Sequence, residues 1–116
     1  MRPAVSFSGG DDTVTAGEQL YVLCSGCHAP TWNRTGPRHC GLAGRRAGSL
    51  ADFDYTPAMK NADIIWTRES LDEFLRAPLT MVPGTSMAFA GMPDARERDQ
   101  LITFLLQLTD KHPLCR

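Results

Sequence analysis

Two cysteines three positions apart, followed at once by a histidine, put the chain's most reactive side chains into five residues: Cys24-Ser25-Gly26-Cys27-His28. Paired thiols at this spacing with an imidazole beside the second are the pattern of covalent haem attachment. Each thiol adds across a vinyl group to give a thioether, and the histidine reaches the iron. Two other chemistries use similar residues. A zinc site would draw on Cys40 with His39 or His28, but no second compact Cys/His pair follows, and Cys115 lies far along the chain. A thioredoxin-like dithiol opens a helix after a strand, whereas this pair closes a helical stretch.

Iron held in a porphyrin has a second axial position. A sulfur ligand there raises the potential and makes a carrier, while an open position allows gas or peroxide chemistry. Met59, Met81, Met87 and Met92 are within reach by chain position, as are His39 and His112. The best-placed segment is Val82-Pro83-Gly84-Thr85-Ser86-Met87-Ala88-Phe89, where Pro and Gly reverse and stiffen the chain. Spacing alone leaves Met81 and Met92 open beside Met87, since methionines more often fill cores than bind metals.

These groups must be positioned by one domain of 116 residues. In so small a chain an apolar prosthetic group matters: covering roughly 500 Å² of porphyrin contributes about 10 kcal/mol as an upper bound. A net charge of −1 argues against a nucleic-acid binder that neutralises phosphates. The cations are ten Arg and only two Lys, Lys60 and Lys111. No apolar run has the length of a membrane-spanning helix. Haem attachment to thiols normally takes place outside the bacterial cytoplasm. An exported, periplasmic location is therefore expected, with Arg2 to Asp12 the mature end after a removed signal and Met1 an addition. Cys40 and Cys115, not needed for haem, are then available for one disulfide in an oxidising compartment.

Residues 1–14 are polar and read as a flexible segment. Thr15 and Glu18 form a capping box that opens a helix through Leu20, Tyr21 and Leu23. Leu20, Cys24 and Cys27 then share its buried face, and Gly26 leaves room for the macrocycle. Residues 29–50 read as an extended loop and 57–62 as a short helix begun by Pro57. Thr67 or Ser70 caps a helix whose apolar face is Leu71, Phe74 and Leu75, and Pro78 ends it. A Pro/Gly/Met-rich loop over 79–93 leads to Asp94 and Glu97, which cap a last helix carrying Leu101, Phe104, Leu105 and Leu108. No strand pattern or repeat occurs. The expected fold is all-α: three main helices plus loops wrapped around one covalent haem, in a single domain over 15–116.

Four motifs in order carry a resemblance: Cys24–His28; Gly36-Pro37 with Gly41-Leu42-Ala43-Gly44-Arg45; Tyr55-Thr56 with Trp66; and Pro83–Met87 with Phe89 and Gly91. Together they resemble a class I cytochrome c, in the branch of the bacterial cytochromes c2 and the mitochondrial proteins, over roughly residues 16 to 108. The resemblance implies haem c bound through Cys24 and Cys27, with His28 and Met87 as the iron's ligands. It implies that the Pro37 carbonyl orients His28. It implies that Arg45, Tyr55 and Trp66 bond one propionate and Thr85 the other, that Phe89 shields the Met-side haem edge, and that Gly17 and Tyr21 pack on Leu101 and Leu105.

The chain also departs from the family. Phe74 replaces a tyrosine that bonds the Met sulfur in the mitochondrial proteins, and Met59 replaces an asparagine. His39 replaces a haem-packing leucine, and the loop from His28 to Gly36 is a few residues shorter. Leu79, Thr80 and Ser86 replace lysines around the haem edge, implying a neutral, partly apolar docking face with weak salt dependence. The implied function is one-electron transfer by a monomer, without catalysis, in the periplasm rather than the mitochondrial intermembrane space. Its redox partners would be a reductase or dehydrogenase upstream and an oxidase, reductase or reaction centre downstream. Alternatives are a haem subunit of a larger dehydrogenase complex and a peroxidase or sensor with a displaceable Met87.

Overall fold

The computed structural model describes residues 11–116, with side chains described from Thr15 onward. The expected flexible segment 1–14 therefore lies, for residues 1–10, outside the described residues. Residues 11–14 belong to the first helix.

That helix, α1, spans Asp11–Leu20, so Thr15 and Glu18 sit inside it instead of capping it. It tightens into a 3₁₀ turn over Tyr21–Leu23. Cys24 N–H donates to Tyr21 O (2.9 Å) and Ser25 N–H to Val22 O (3.2 Å), both i to i−3 bonds. The Ser25 hydroxyl bonds the same Val22 carbonyl, which favours leaving the α-helical ladder. The expected α-helical stripe of Leu20, Cys24 and Cys27 is thus broken, and Cys27 is exposed, contrary to a shared buried face. The helical bond returns one residue on, where His28 N–H donates to Cys24 O (2.9 Å).

Short helix α2, Pro57–Lys60, starts with proline at its first position, where no N–H is needed. Helix α3, Arg68–Arg76, has both expected caps: Thr67 and Ser70 each accept from the other's backbone N–H. Leu71, Phe74 and Leu75 form its buried face. Pro78 ends α3 and also begins α4, Pro78–Met81, a single turn within a stretch expected to be loop. The Asp94 carboxylate accepts from Arg96 and Glu97 N–H and opens α5, Ala95–Leu106.

The architecture is all-α, and the described residues contain no strand, only an isolated bridge between Arg46 and Ile65. α1 crosses α5 at Gly17, where an added Cβ would lie 2.7 Å from Phe104 Cβ and run into the Gln100 carbonyl. Gly17 therefore backs onto Gln100 and Phe104, one residue round the helix from the expected Leu101 and Leu105. Tyr21 continues the contact, with its ring 5.2 Å from that of Phe104. α3 is tied to α5 by Arg98, a buried cation that donates to Asp72 and to the Met92 and Pro93 carbonyls.

Loops hang on this frame. His39 and Cys40 N–H donate to Ala29 and Pro30 carbonyls, and Gly41 N–H donates to Leu108 O (2.7 Å) just beyond α5. Cys40 and Cys115 form a disulfide with their Cα atoms 5.7 Å apart, inside the usual window. Its sulfurs staple this loop to the tail after α5, across 75 residues. Restricting so long a loop in the unfolded chain contributes about 2–4 kcal/mol. The double substitution Cys40→Ser/Cys115→Ser should lose about that much stability in guanidinium unfolding of the holoprotein. Its m-value should rise, because the denatured chain becomes less compact.

Candidate haem-binding site

A cavity of about 240 Å³ opens between the helices and the long loops. All ten residues singled out in the sequence line it: Cys24, Cys27, His28, Pro37, Arg45, Tyr55, Trp66, Thr85, Met87 and Phe89. Of the competing candidates, Met59 and His39 are in the wall, while Met81, Met92 and His112 are not. Met92 is buried in the core among helix side chains. His112 accepts from Leu114 N–H and meets Phe104 edge-on.

His28 is held by its surroundings before any iron is considered. Its Nδ1–H donates to the Pro37 carbonyl at 2.8 Å, which leaves Nε2 as the free donor atom. Gly36 packs so closely that an added Cβ would overlap the imidazole, 2.6 Å from both ring nitrogens. Gly36 N–H in turn donates to Cys27 O (2.8 Å), fixing this approach to the two-thiol turn. Burial lowers the His28 pKa, and Arg34 adds to this, against the Pro37 bond that raises it. The neutral, metal-binding form is therefore favoured. Burial, with a smaller contribution from Cys27, pushes the Cys24 thiol up to about 11.

Opposite the thiols in sequence, a tight turn carries Met87. Thr85 N–H donates to Val82 O (3.0 Å), with Pro83 and then Gly84 at the corner. Gly84 has φ +91°, the positive angle needed at the third residue of a type II turn. The Thr85 hydroxyl accepts from Met87 N–H (3.2 Å) and so fixes the backbone beneath that side chain.

The wall is largely apolar, and among the described residues Arg45 is its one permanent charge. Its guanidinium donates to the Arg38 and Cys40 carbonyls, both at 2.7 Å. Burial lowers its pKa from a very high ordinary value, and the group stays a cation. The Tyr55 hydroxyl accepts from Leu50 N–H (3.3 Å). Trp66 is buried and meets Phe74 edge-on at 5.1 Å. Leu42, Leu71 and Phe74 are also in the wall; the sequence shows Leu71 and Phe74 as an apolar helix face without showing that they face the cavity.

A helical shell around one apolar cavity, with two thiols, an imidazole and a thioether sulfur in its wall, defines a haem-attaching protein. Comparison with known proteins narrows this. The chain is 42% identical over 100 residues to cytochrome c2 of Afifella marina, covering 81% of each chain. It is 44% identical over 109 residues to cytochrome c of Cochliobolus lunatus, covering 90% of this chain and 99% of that one. Among solved structures, cytochrome cH from Methylobacterium extorquens matches with TM-score 0.78 and 34% identity, over 80% of this chain and 96% of the other. No family model matches. The chain belongs to the class I cytochromes c. Proteins of this family carry one covalently attached haem c and act as electron carriers.

The cavity fits such a group chemically: soft and imidazole donors, an apolar wall, and one cation for an acidic edge. Gly36 gives a direct check on the imidazole's seating. Gly36→Val should destabilise the holoprotein by about 1–3 kcal/mol, because the new side chain and the His28 ring cannot share the space. Thermal unfolding of the two proteins side by side measures it.

Proposed function

We propose that this protein is a mono-haem electron carrier with His28 and Met87 as axial ligands and Cys24 and Cys27 as thioether anchors. The observation that carries the reading is that these four side chains, from two separated segments, line one cavity. Bound there, the haem iron supplies one-electron exchange between its ferrous and ferric forms. The chain's own residues do the rest. Pro37 holds the His28 ring and raises its basicity through the Nδ1–H bond. Arg45, with Tyr55 and Trp66 beside it, offers a cation and polar edges for one propionate, and Thr85 serves the other. Phe89 and the inner wall keep water from the iron. Residues 15–116 act as one domain, working as a monomer in the periplasm or another exported compartment.

Two methionines line the cavity, and the reading chooses between them. Met59 sits on the single turn of α2, where its N–H is taken by the Thr56 hydroxyl. Met87 lies on the reversed, hydroxyl-braced segment next to Phe89. Met87→Ala should abolish the sulfur-to-iron absorption band of the oxidised protein and lower the reduction potential, whereas Met59→Ala keeps the band. A wild-type protein that lacks the band and binds cyanide within minutes would favour an open-site peroxidase or sensor instead.

The part of the cavity wall open to solvent indicates the partner face. Its exposed members, Leu23, Cys27, Thr35, Ser86 and Ala88, carry no charged side chain. Val22 and Leu79, on the flanking segments, are exposed apolar residues. The docking face is therefore partly apolar and sparsely charged, with Arg34 beside the thiol turn its nearby cation, suited to redox proteins upstream and downstream that meet it largely through uncharged contacts. Rates of electron exchange with such a partner should change less than about threefold between ~20 and ~200 mM salt in stopped-flow measurements, where a charge-steered pair changes far more.

A further inference from the structure

His39 is a buried imidazole of the cavity wall that the electron-carrier reading leaves without a role. It is buried, at 9% exposure, and its ring stacks on His28 with centroids 4.2 Å apart and planes inclined by 21°. Its Nδ1 lies 2.8 Å from the Tyr21 hydroxyl. Burial keeps the Tyr21 hydroxyl protonated and the His39 ring neutral. The phenol is thus assigned as donor and Nδ1 as acceptor. Tyr21 is itself wedged against Phe104 of α5, and His39 N–H donates to Ala29 O (3.3 Å), immediately after His28. Tyr21 therefore holds the ring at Nδ1, while the backbone bond fixes His39 beside the segment that carries His28.

We propose that His39, locked by Tyr21, is a positioning residue for the His28 ligand. Its flat face sets the rotation of the His28 imidazole, and its buried dipole tunes the iron's potential. The proposal rests on the reading of His28 as a haem ligand. The Pro37 carbonyl holds one edge of the ring but leaves it free to rock about that bond. A second aromatic plane 4.2 Å away restricts the rocking. An imidazole there is also more polar than a hydrocarbon, and polarity beside the iron favours the more highly charged ferric form.

The test uses the holoprotein and three variants: His39→Leu, His39→Phe and Tyr21→Phe. Two readouts report on the ligand and not on stability: the spread of haem-methyl proton resonances in the oxidised protein, which follows axial-ring orientation, and the reduction potential. His39→Leu should change the methyl pattern and raise the potential. His39→Phe should restore the wild-type pattern, since a flat ring remains, but keep the raised potential. Tyr21→Phe should shift the pattern part-way by freeing the His39 ring.

A wild-type pattern and potential in His39→Leu would overturn the proposal, even if stability fell. If His39→Leu takes up no haem, Tyr21→Phe decides: a part-way pattern supports the proposal and a wild-type pattern overturns it. A wild-type protein without a histidine-ligated haem spectrum would overturn the ligand reading itself, a separate result.

Discussion

The close approach of α1 to α5 at Gly17 is the constraint on which the rest of the structure depends. With no side chain between them, the helices bring Tyr21 onto Phe104 and set the 3₁₀ turn that leads into the two-thiol segment. α3 supplies part of the cavity wall, and much of the remainder is loop, which cannot hold itself by a regular ladder. The loops are tied one by one to α5 and the tail that follows it: Gly41 to the Leu108 carbonyl, Cys40 to Cys115, and Met92 through Arg98. Closing the frame at these points lets a small chain present apolar walls to one large group.

Charge is handled differently at the two ends of this frame. Arg98 is buried, yet its partner Asp72 is about half exposed, so the carbonyls of Met92 and Pro93 do much of the work of satisfying it. Replacing Asp72 would leave a cation held by two dipoles; replacing Arg98 would strand two carbonyls. Arg45 is likewise spanned by two carbonyls, but it borders the cavity. Neither of its two hydrogen bonds comes from a carboxylate, so its positive charge is not neutralised by them. One arginine acts as a strut, and the other is poised for an anionic edge.

Local chemistry made part of this legible in the sequence. The Thr67–Ser70 box, the Asp94 cap, the proline starts and the thiol–imidazole motif each work within a few residues, so their signals survive without the fold. The start of α1 did not: a T-x-x-E pattern inside a helix looks the same as one at its end. Pro78 was legible as the end of α3 but not as the start of α4, because a helix of one turn has no period to detect. Spacing could not separate Met81 and Met92 from Met87; the family resemblance chose Met87, and packing keeps the other two out of the cavity wall. The stack of His39 on His28 joins residues eleven positions apart through a loop without periodicity, and no spacing rule reaches it.

The two sides of the cavity differ in how firmly they hold their donors, and this bears on the proposed chemistry. His28 is restrained on its side chain, by the Pro37 carbonyl, by Gly36 and by the His39 ring. Met87 is restrained through its backbone, by Thr85 and the turn before it, and by non-directional apolar packing, while Phe74 offers the cavity a ring with no hydroxyl to bond a sulfur. A thioether also has more rotatable bonds than an imidazole, so ordering it costs more entropy. In the proposed His/Met pair the histidine side is thus preorganised by the protein, and the methionine side depends on the metal–sulfur bond itself. The balance between carrying electrons and admitting an outside ligand is therefore set at the 82–89 turn, and stiffening that turn would favour the carrier.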